Sequence, residues 1–305
     1  MLFVVPGPEA PVSGGNRYND ALIHALGAAR IDAAALDVHA LASEVWVDSL
    51  YLTLLPRLRG RVRQLGLLAH SLPSLLAQAA GQRTEIDERA LLGLLDCAVA
   101  PSETMRDWLL ERAPGLRVRV VEPAVHALPV RAKAGALHAV LVANLLPNKG
   151  VLPFLASLAS KLHPQDQFTL RVIGRLDLDR EYAARCVAFA ESRVVFVGGV
   201  PYAELLAEYA RAQVCVSASR SESYGMAVAE ARASGCIVLA RGGGHVAKLL
   251  DPASDVLVES DDALVDALLE LVRDPRRCAK RSRRALASRA ATRSASDVAR
   301  EFLRG

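Results

Sequence analysis

Two glutamates with seven residues between them, Glu222 and Glu230, flank a Tyr-Gly step in the stretch SRSESYGMAVAEARASGCIVLA, residues 219–240. On one continuous helix they would be turned about 800° apart and would not share a face. The pair makes chemical sense if Glu222 stands in a loop and Glu230 on the helix that follows. Gly225 then marks a close approach of backbone to ligand. The amides around Tyr224, Gly225 and Met226, with Ser223 beside them, would point from the helix start at an anion, where free N–H groups and the helix dipole make a phosphate site. From Met226 to Glu230 a helix rises about 6 Å. That is the reach from a diphosphate to the ribose hydroxyls of one nucleotide. Two solvated glutamates on a surface helix are the plain alternative.

The run E-S-Y-G-M-A-V-A-E resembles the E-x7-E signature of retaining family 4 glycosyltransferases, of the glycosyl transferases group 1. The resemblance implies that Glu230 accepts hydrogen bonds from ribose hydroxyls and that Glu222 contacts hydroxyls of the donor sugar. Similarly, VANLLPNKGVLPFLASL, residues 142–158, resembles the family's strand–loop–helix in which a Lys-Gly pair opens a helix. Lys149 would pair with the donor diphosphate, and Gly150 would allow the close approach. The family usually has an Arg shortly before this Lys, where this chain has Asn144. Asn can donate a hydrogen bond but brings no charge. Arg175, following Gly174 at the end of TLRVIG, is the candidate for the missing cation.

The first half carries weaker marks. SGGNRYNDAL, residues 13–22, resembles the family's N-terminal glycine loop, so Gly14 and Gly15 would meet the donor phosphate. His70 ends LGLLAH, where the family often places a His near the transferred sugar; a bond to local backbone is the equal alternative. The resemblance therefore assigns Glu222, Lys149 and His70 to catalysis. GGGH, residues 242–245, resembles the family's glycine loop facing the sugar, with His245 as a further ligand contact. The likeness is good over 138–260, moderate over 1–30 and 65–125, and thin elsewhere. Asp177-Leu178-Asp179 is formally a D-x-D, but its place before a helix-like stretch favours capping or a solvated loop over a metal.

Alternating strands and helices must position these residues. In the first half, Leu2–Val5, DAAALDV (32–38), LGLLAH (65–70), DCAVAPS (96–102) and VRVVEP (118–123) read as strands, and 16–29 as a helix. The second half reads more clearly, with strands AVLVAN, TLRVIG, VVFVG, QVCVSAS and CIVLAR. Near-continuous apolar strands belong to parallel sheets buried on both faces, and the alternation makes each half a doubly wound α/β domain. The expected fold is α/β of the GT-B kind, with two Rossmann-like parallel-sheet domains facing a cleft. Residues 1–133 would be a shortened acceptor-side domain, 134–288 the donor-binding domain, and 289–305 a helix returning to the first domain. VRAKAGAL (130–137) suits the linker.

The chain of 305 residues is 52% hydrophobic, 23% charged and 5% aromatic, with net charge +4. That composition builds a packed core and excludes disorder. Nucleic-acid binding is not expected, because no basic run is interleaved with stacking aromatics. No run is long enough to span a bilayer, and MLFVVPGPEA lacks the features of a signal peptide. Five cysteines without a C-x-x-C spacing favour reduced thiols in a cytosol. The basic run RDPRRCAKRSRR (273–284) reads first as a solvated helix face, with weak peripheral contact at the inner membrane face as the alternative. The expected activity is metal-independent, cofactor-free transfer of a hexose from a UDP-, GDP- or ADP-sugar to a hydroxyl of a glycan, lipid or small molecule. The rivals are a GT-B-fold nucleotide-sugar epimerase and a non-catalytic sugar-nucleotide-binding protein.

Overall fold

Runs of Val, Leu and Ala form the strands of two parallel six-stranded sheets, each covered by helices on both faces. The computed structural model describes residues 1–7, 9–10, 13–37, 42–128 and 136–304. The chain divides into two units, Met1–Ala124 with Arg293–Gly305, and Val125–Thr292. The expected boundary at 133/134 and most of the expected linker lie outside the described residues; the second expected boundary, 288/289, stands four residues before the observed 292/293.

The first unit runs β1 (Leu2–Val4), α1 (Gly14–Leu26), β2 (Ala29–Ile31), β3 (Glu44–Asp48), α2 (Leu55–Leu58), β4 (Gln64–Leu68), α3 (Pro73–Ala79), α4 (Glu88–Leu92), β5 (Cys97–Ala100), α5 (Glu103–Arg112) and β6 (Arg117–Val120). Its sheet order is β2-β1-β3-β4-β5-β6. Two expectations fail here. Residues 32–38 do not make a strand over their described part. Asp32 accepts N–H bonds from Ala34 and Gly7, which folds Ala33–Ala35 into a 3-10 turn, and the short strand lies just before it. Val38 is outside the described residues. The strand β3 was not expected at all, yet it contributes Val45, Trp46 and Val47 to the core.

The second unit runs β7 (Leu137–Val142), α6 (Val151–Lys161), β8 (Phe168–Ile173), α7 (Arg180–Val187), β9 (Val194–Gly198), α8 (Tyr202–Arg211), β10 (Val214–Ser217), α9 (Met226–Ala233), β11 (Ile237–Arg241), α10 (Val246–Leu249), β12 (Val256–Val258), α11 (Asp261–Arg273) and α12 (Pro275–Ala287). Its sheet order is β12-β11-β10-β7-β8-β9. The five expected strands are present, and β12 adds an edge.

The last helix, α13 (Ala295–Leu303), belongs to the first unit. Ser294 and Asp297 form a capping box at its start, which satisfies N–H groups that have no intrahelical partner. Phe302 then packs on Trp46, with ring centroids 4.8 Å apart, and on Phe3 at 5.9 Å. Among the described residues, no helix is long and apolar enough to cross a membrane.

Candidate functional site

In the second unit the strand order reverses between β7 and β10. Open parallel sheets bind ligands outside the carboxyl ends of their strands at such a point. A depression lies there. Its walls are residues 141–143 at the end of β7, residues 216–219 at the end of β10, Lys149, Glu222, Gly225 and the first turn of α9. Lys149 ends the 3-10 turn Pro147–Lys149, and its Nζ donates to Glu222 Oε1 at 2.6 Å. The turn rests on β10, with Gly150 against the Ala218 carbonyl.

Asn144, Gly174 and Arg175 are not among the lining residues. Asn144 Oδ1 accepts the Arg175 backbone N–H at 3.0 Å, which ties the loops after β7 and β8 together. The Arg175 guanidinium donates to Asp177, with Nε at 2.8 Å from Oδ1. That partner holds Asp177 down at about 2, well below the ordinary carboxylate range. Asp179 caps α7 by accepting the Tyr182 N–H at 2.9 Å, the role its position before a helix led us to expect.

Glu222 is fixed through its backbone. Its carbonyl accepts the His245 N–H at 2.8 Å, and it bridges to Gly244 in parallel register. Gly243 meets the neighbouring Arg220 carbonyl so closely that a Cβ would lie 2.0 Å from the oxygen. His245 is buried and stacks on Tyr224, with ring centroids 5.5 Å apart and planes at 18°. The GGGH run therefore buttresses the Glu222 loop, and His245 is a packing partner of that loop.

Gly225 turns the chain into α9 with φ of 98°, and no side chain caps the helix. A residue with a Cβ is strained in that conformation. The first-turn amides thus have no side-chain acceptor, which suits an anion. The Tyr224 and Met226 side chains lie with Val125 and Ala229 in an apolar cluster, so toward a ligand these residues offer backbone. One turn further along α9, Glu230 is fully buried. Its Oε1 accepts a hydrogen bond from Tyr202 Oη at 2.8 Å, and His126 packs edge-on against the Tyr202 ring. Glu222 and Glu230 therefore belong to one loop–helix segment, but only Glu222 lines the depression.

In the first unit the reversal lies between β1 and β3. Gly14 and Gly15 begin α1, capped by Ser13, whose hydroxyl accepts the Asn16 N–H at 3.1 Å. Gly15 packs on the His70 ring, where a Cβ would stand 3.1 Å from Cγ. His70 follows β4, and its Nε2 is 2.7 Å from Asn19 Oδ1. Asn19 Nδ2 donates to Asp48 Oδ2 at 2.6 Å, and Asp48 Oδ1 accepts the Leu50 N–H. The His70 backbone N–H donates to Ser49 Oγ at 3.1 Å. Burial pushes the His70 imidazole below its ordinary pKa, with the Asp48 charge opposing. Sequence reasoning missed Asn19 and Asp48. The available signal was a polar residue, Asn19, among the buried positions Tyr18, Leu22 and Ile23 of α1.

Two doubly wound parallel-sheet units of this kind are the GT-B fold of the glycosyltransferases. Residues 136–274 match the family described as Glycosyl transferases group 1, a stretch that lies within the second unit. Among solved structures, the chain is similar to sucrose-phosphate synthase from Thermosynechococcus elongatus (21% identity, TM-score 0.69, covering 99% of this chain and 81% of that one). It is similar to Anabaena Alr3699/HepE in complex with UDP-glucose (15% identity, TM-score 0.76, covering 99% and 98%). It also resembles a glycosyltransferase from Rickettsia africae ESF-5 (16% identity, TM-score 0.68, covering 99% and 96%). At these identities what is shared is the fold. No curated protein sequence is a significant match.

Proposed function

We propose that this chain is a retaining glycosyltransferase of the family 4 type, moving a hexose from a nucleoside-diphosphate sugar to an acceptor hydroxyl. The observation that carries the reading is the meeting of Lys149, Glu222 and the uncapped start of α9 at one depression on the strand-order reversal. In this reading the donor diphosphate takes Lys149 and the α9 amides as partners. Glu222, relieved of Lys149, accepts hydrogen bonds from the donor sugar. Glu230, oriented by Tyr202, takes the ribose hydroxyls.

Negative charge grows on the diphosphate as the glycosidic bond breaks, and a preorganised donor at that position is worth roughly 3–4 kcal/mol. With a fixed ammonium and helix amides in that role, transfer runs without a divalent metal. Retention at the anomeric carbon follows from the likeness of ESYGMAVAE to the retaining signature. The UDP-glucose bound by Anabaena HepE supports a UDP-sugar as donor. The acceptor is a hydroxyl of a glycan, lipid or small molecule. The exposed residues Arg276, Lys280 and Arg283 of α12 support weak contact with an anionic membrane surface, and with it a place at the inner face of a cytoplasmic membrane.

Calorimetric titration with UDP-, GDP- and ADP-glucose in the presence of a chelator tests the reading. Micromolar binding of at least one is expected. Glu230→Ala is expected to weaken it by about 1–3 kcal/mol, the cost of leaving polar ligand groups unpaired. Silence with all three sugar nucleotides would refute the assignment.

A further inference from the structure

Two helices of the second unit open on a glycine beside the depression, α6 at Gly150 with φ of 66° and α9 at Gly225 with φ of 98°. A glycine cannot cap a helix with a side chain, so the first-turn N–H groups of both must find partners elsewhere. The two starts solve this differently. In α6, Pro153 carries no N–H at all. The Leu152 N–H donates to Tyr182 Oη at 3.0 Å, a hydroxyl brought in from α7. Tyr182 is buried in the core with Val151 and Leu155, and its own backbone N–H donates to Asp179 at the start of α7. Burial raises its phenol above the ordinary value, against the pull of the Leu152 bond, so the hydroxyl stays neutral. A leucine or phenylalanine would fill that core space without bringing in a polar group that costs free energy to bury. What the hydroxyl adds is an acceptor for α6. In α9 no side chain caps the helix start.

We propose that Tyr182 is a positioning residue: its hydroxyl closes the start of α6, which fixes the Pro147–Lys149 turn with Lys149 beside Glu222 and leaves α9 as the helix start that takes an anion. The role in donor binding rests on the function proposed above; the cap does not. Lys149 ends its turn three residues before Leu152. Between them Gly150 lies against the Ala218 carbonyl, where a Cβ would stand 2.2 Å from the oxygen. That contact and the Tyr182 bond hold the segment from which Lys149 reaches Glu222.

The test is a double-mutant cycle on the whole chain, titrated with UDP-, GDP- and ADP-glucose. Tyr182→Phe keeps the ring and removes the acceptor. It is expected to weaken binding roughly three- to tenfold, the net worth of one hydrogen bond. In the Lys149→Ala background the same change is expected to cost nothing further, because residues that act through one another are not additive. A tyrosine with a merely structural role would cost the same factor in both backgrounds. That result, or a Tyr182→Phe protein that binds as tightly as wild type, overturns the positioning role while the donor site stands. Amide hydrogen exchange on the wild-type protein tests the cap without any variant. The Leu152 N–H is expected to exchange more slowly than those of Met226 and Ala227, and the sugar nucleotide to slow those two and leave Leu152 unmoved. A Leu152 amide as fast as those of α9, or one that the sugar nucleotide protects, overturns the cap. If none of the three sugar nucleotides binds wild-type protein, the donor reading fails and the positioning role with it, and Leu152 exchange alone decides the cap.

Discussion

Lys149 and Glu222 hold each other at 2.6 Å while each keeps about a fifth to a quarter of its side chain exposed. An ion pair that accessible contributes about 0–1 kcal/mol to stability. Its value must lie in presenting an ammonium and a carboxylate side by side at the end of β10. Lys149→Ala is therefore expected to change the melting temperature little and to weaken UDP binding by about 1.5–3 kcal/mol, the worth of hydrogen bonds to a charged group. Parallel calorimetric and thermal-denaturation measurements separate the two effects; a large drop in melting temperature with unchanged UDP affinity would assign the lysine to structure. Lys149, Glu222 and Gly225 were legible because unusual residue types follow an apolar strand directly. The partners that position other groups were not. Asp48 ends a strand that the pattern hides, and Tyr202 meets Glu230 across 28 positions of sequence, a pairing that local spacing cannot encode.

Among the elements, the loops are what set the geometry of the proposed donor site. The glycines after β11 exist for the loop after β10: Gly243 lies against the Arg220 carbonyl with no space for a methyl group. Gly243→Ala must push residues 220–222 outward. Forcing an extra carbon into a packed contact costs about 1–3 kcal/mol, and here the displaced backbone is that of Glu222. Lower melting temperature and a larger proportional loss of UDP-sugar affinity are expected, read by scanning calorimetry and titration. Unchanged affinity would mean the loop does not set the Glu222 position. The strands of the second unit could be read because they are apolar runs bounded by polar residues. In the first unit, EVWVDSLYLTLL (44–55) passes from strand into 3-10 turn without Gly or Pro. Periodicity cannot divide such a run, so β3 went unread, and Asp48 with it.

At the scale of the molecule, the division into two units follows chain order except at the end, where α13 returns to the first. Phe302 is its anchor, buried against Trp46 and Phe3, and the Phe302 backbone carbonyl also accepts from Arg119 at 2.9 Å. Truncating a buried aromatic of this kind costs about 3–5 kcal/mol. Phe302→Ala is expected to lower the denaturant midpoint of the first unit, followed through Trp46 and Trp108 fluorescence. A midpoint shifted by less than the cost of a single surface substitution, about 0.5 kcal/mol, would show that α13 is dispensable.

That return makes the first unit discontinuous in sequence, with residues 125–292 standing between its two pieces. During synthesis those residues can complete their own sheet while the β1–β3 surface still leaves Phe3 and Trp46 uncovered, because the Phe302 ring that covers them follows much later in the chain. A chaperone has reason to hold that surface until α13 has emerged.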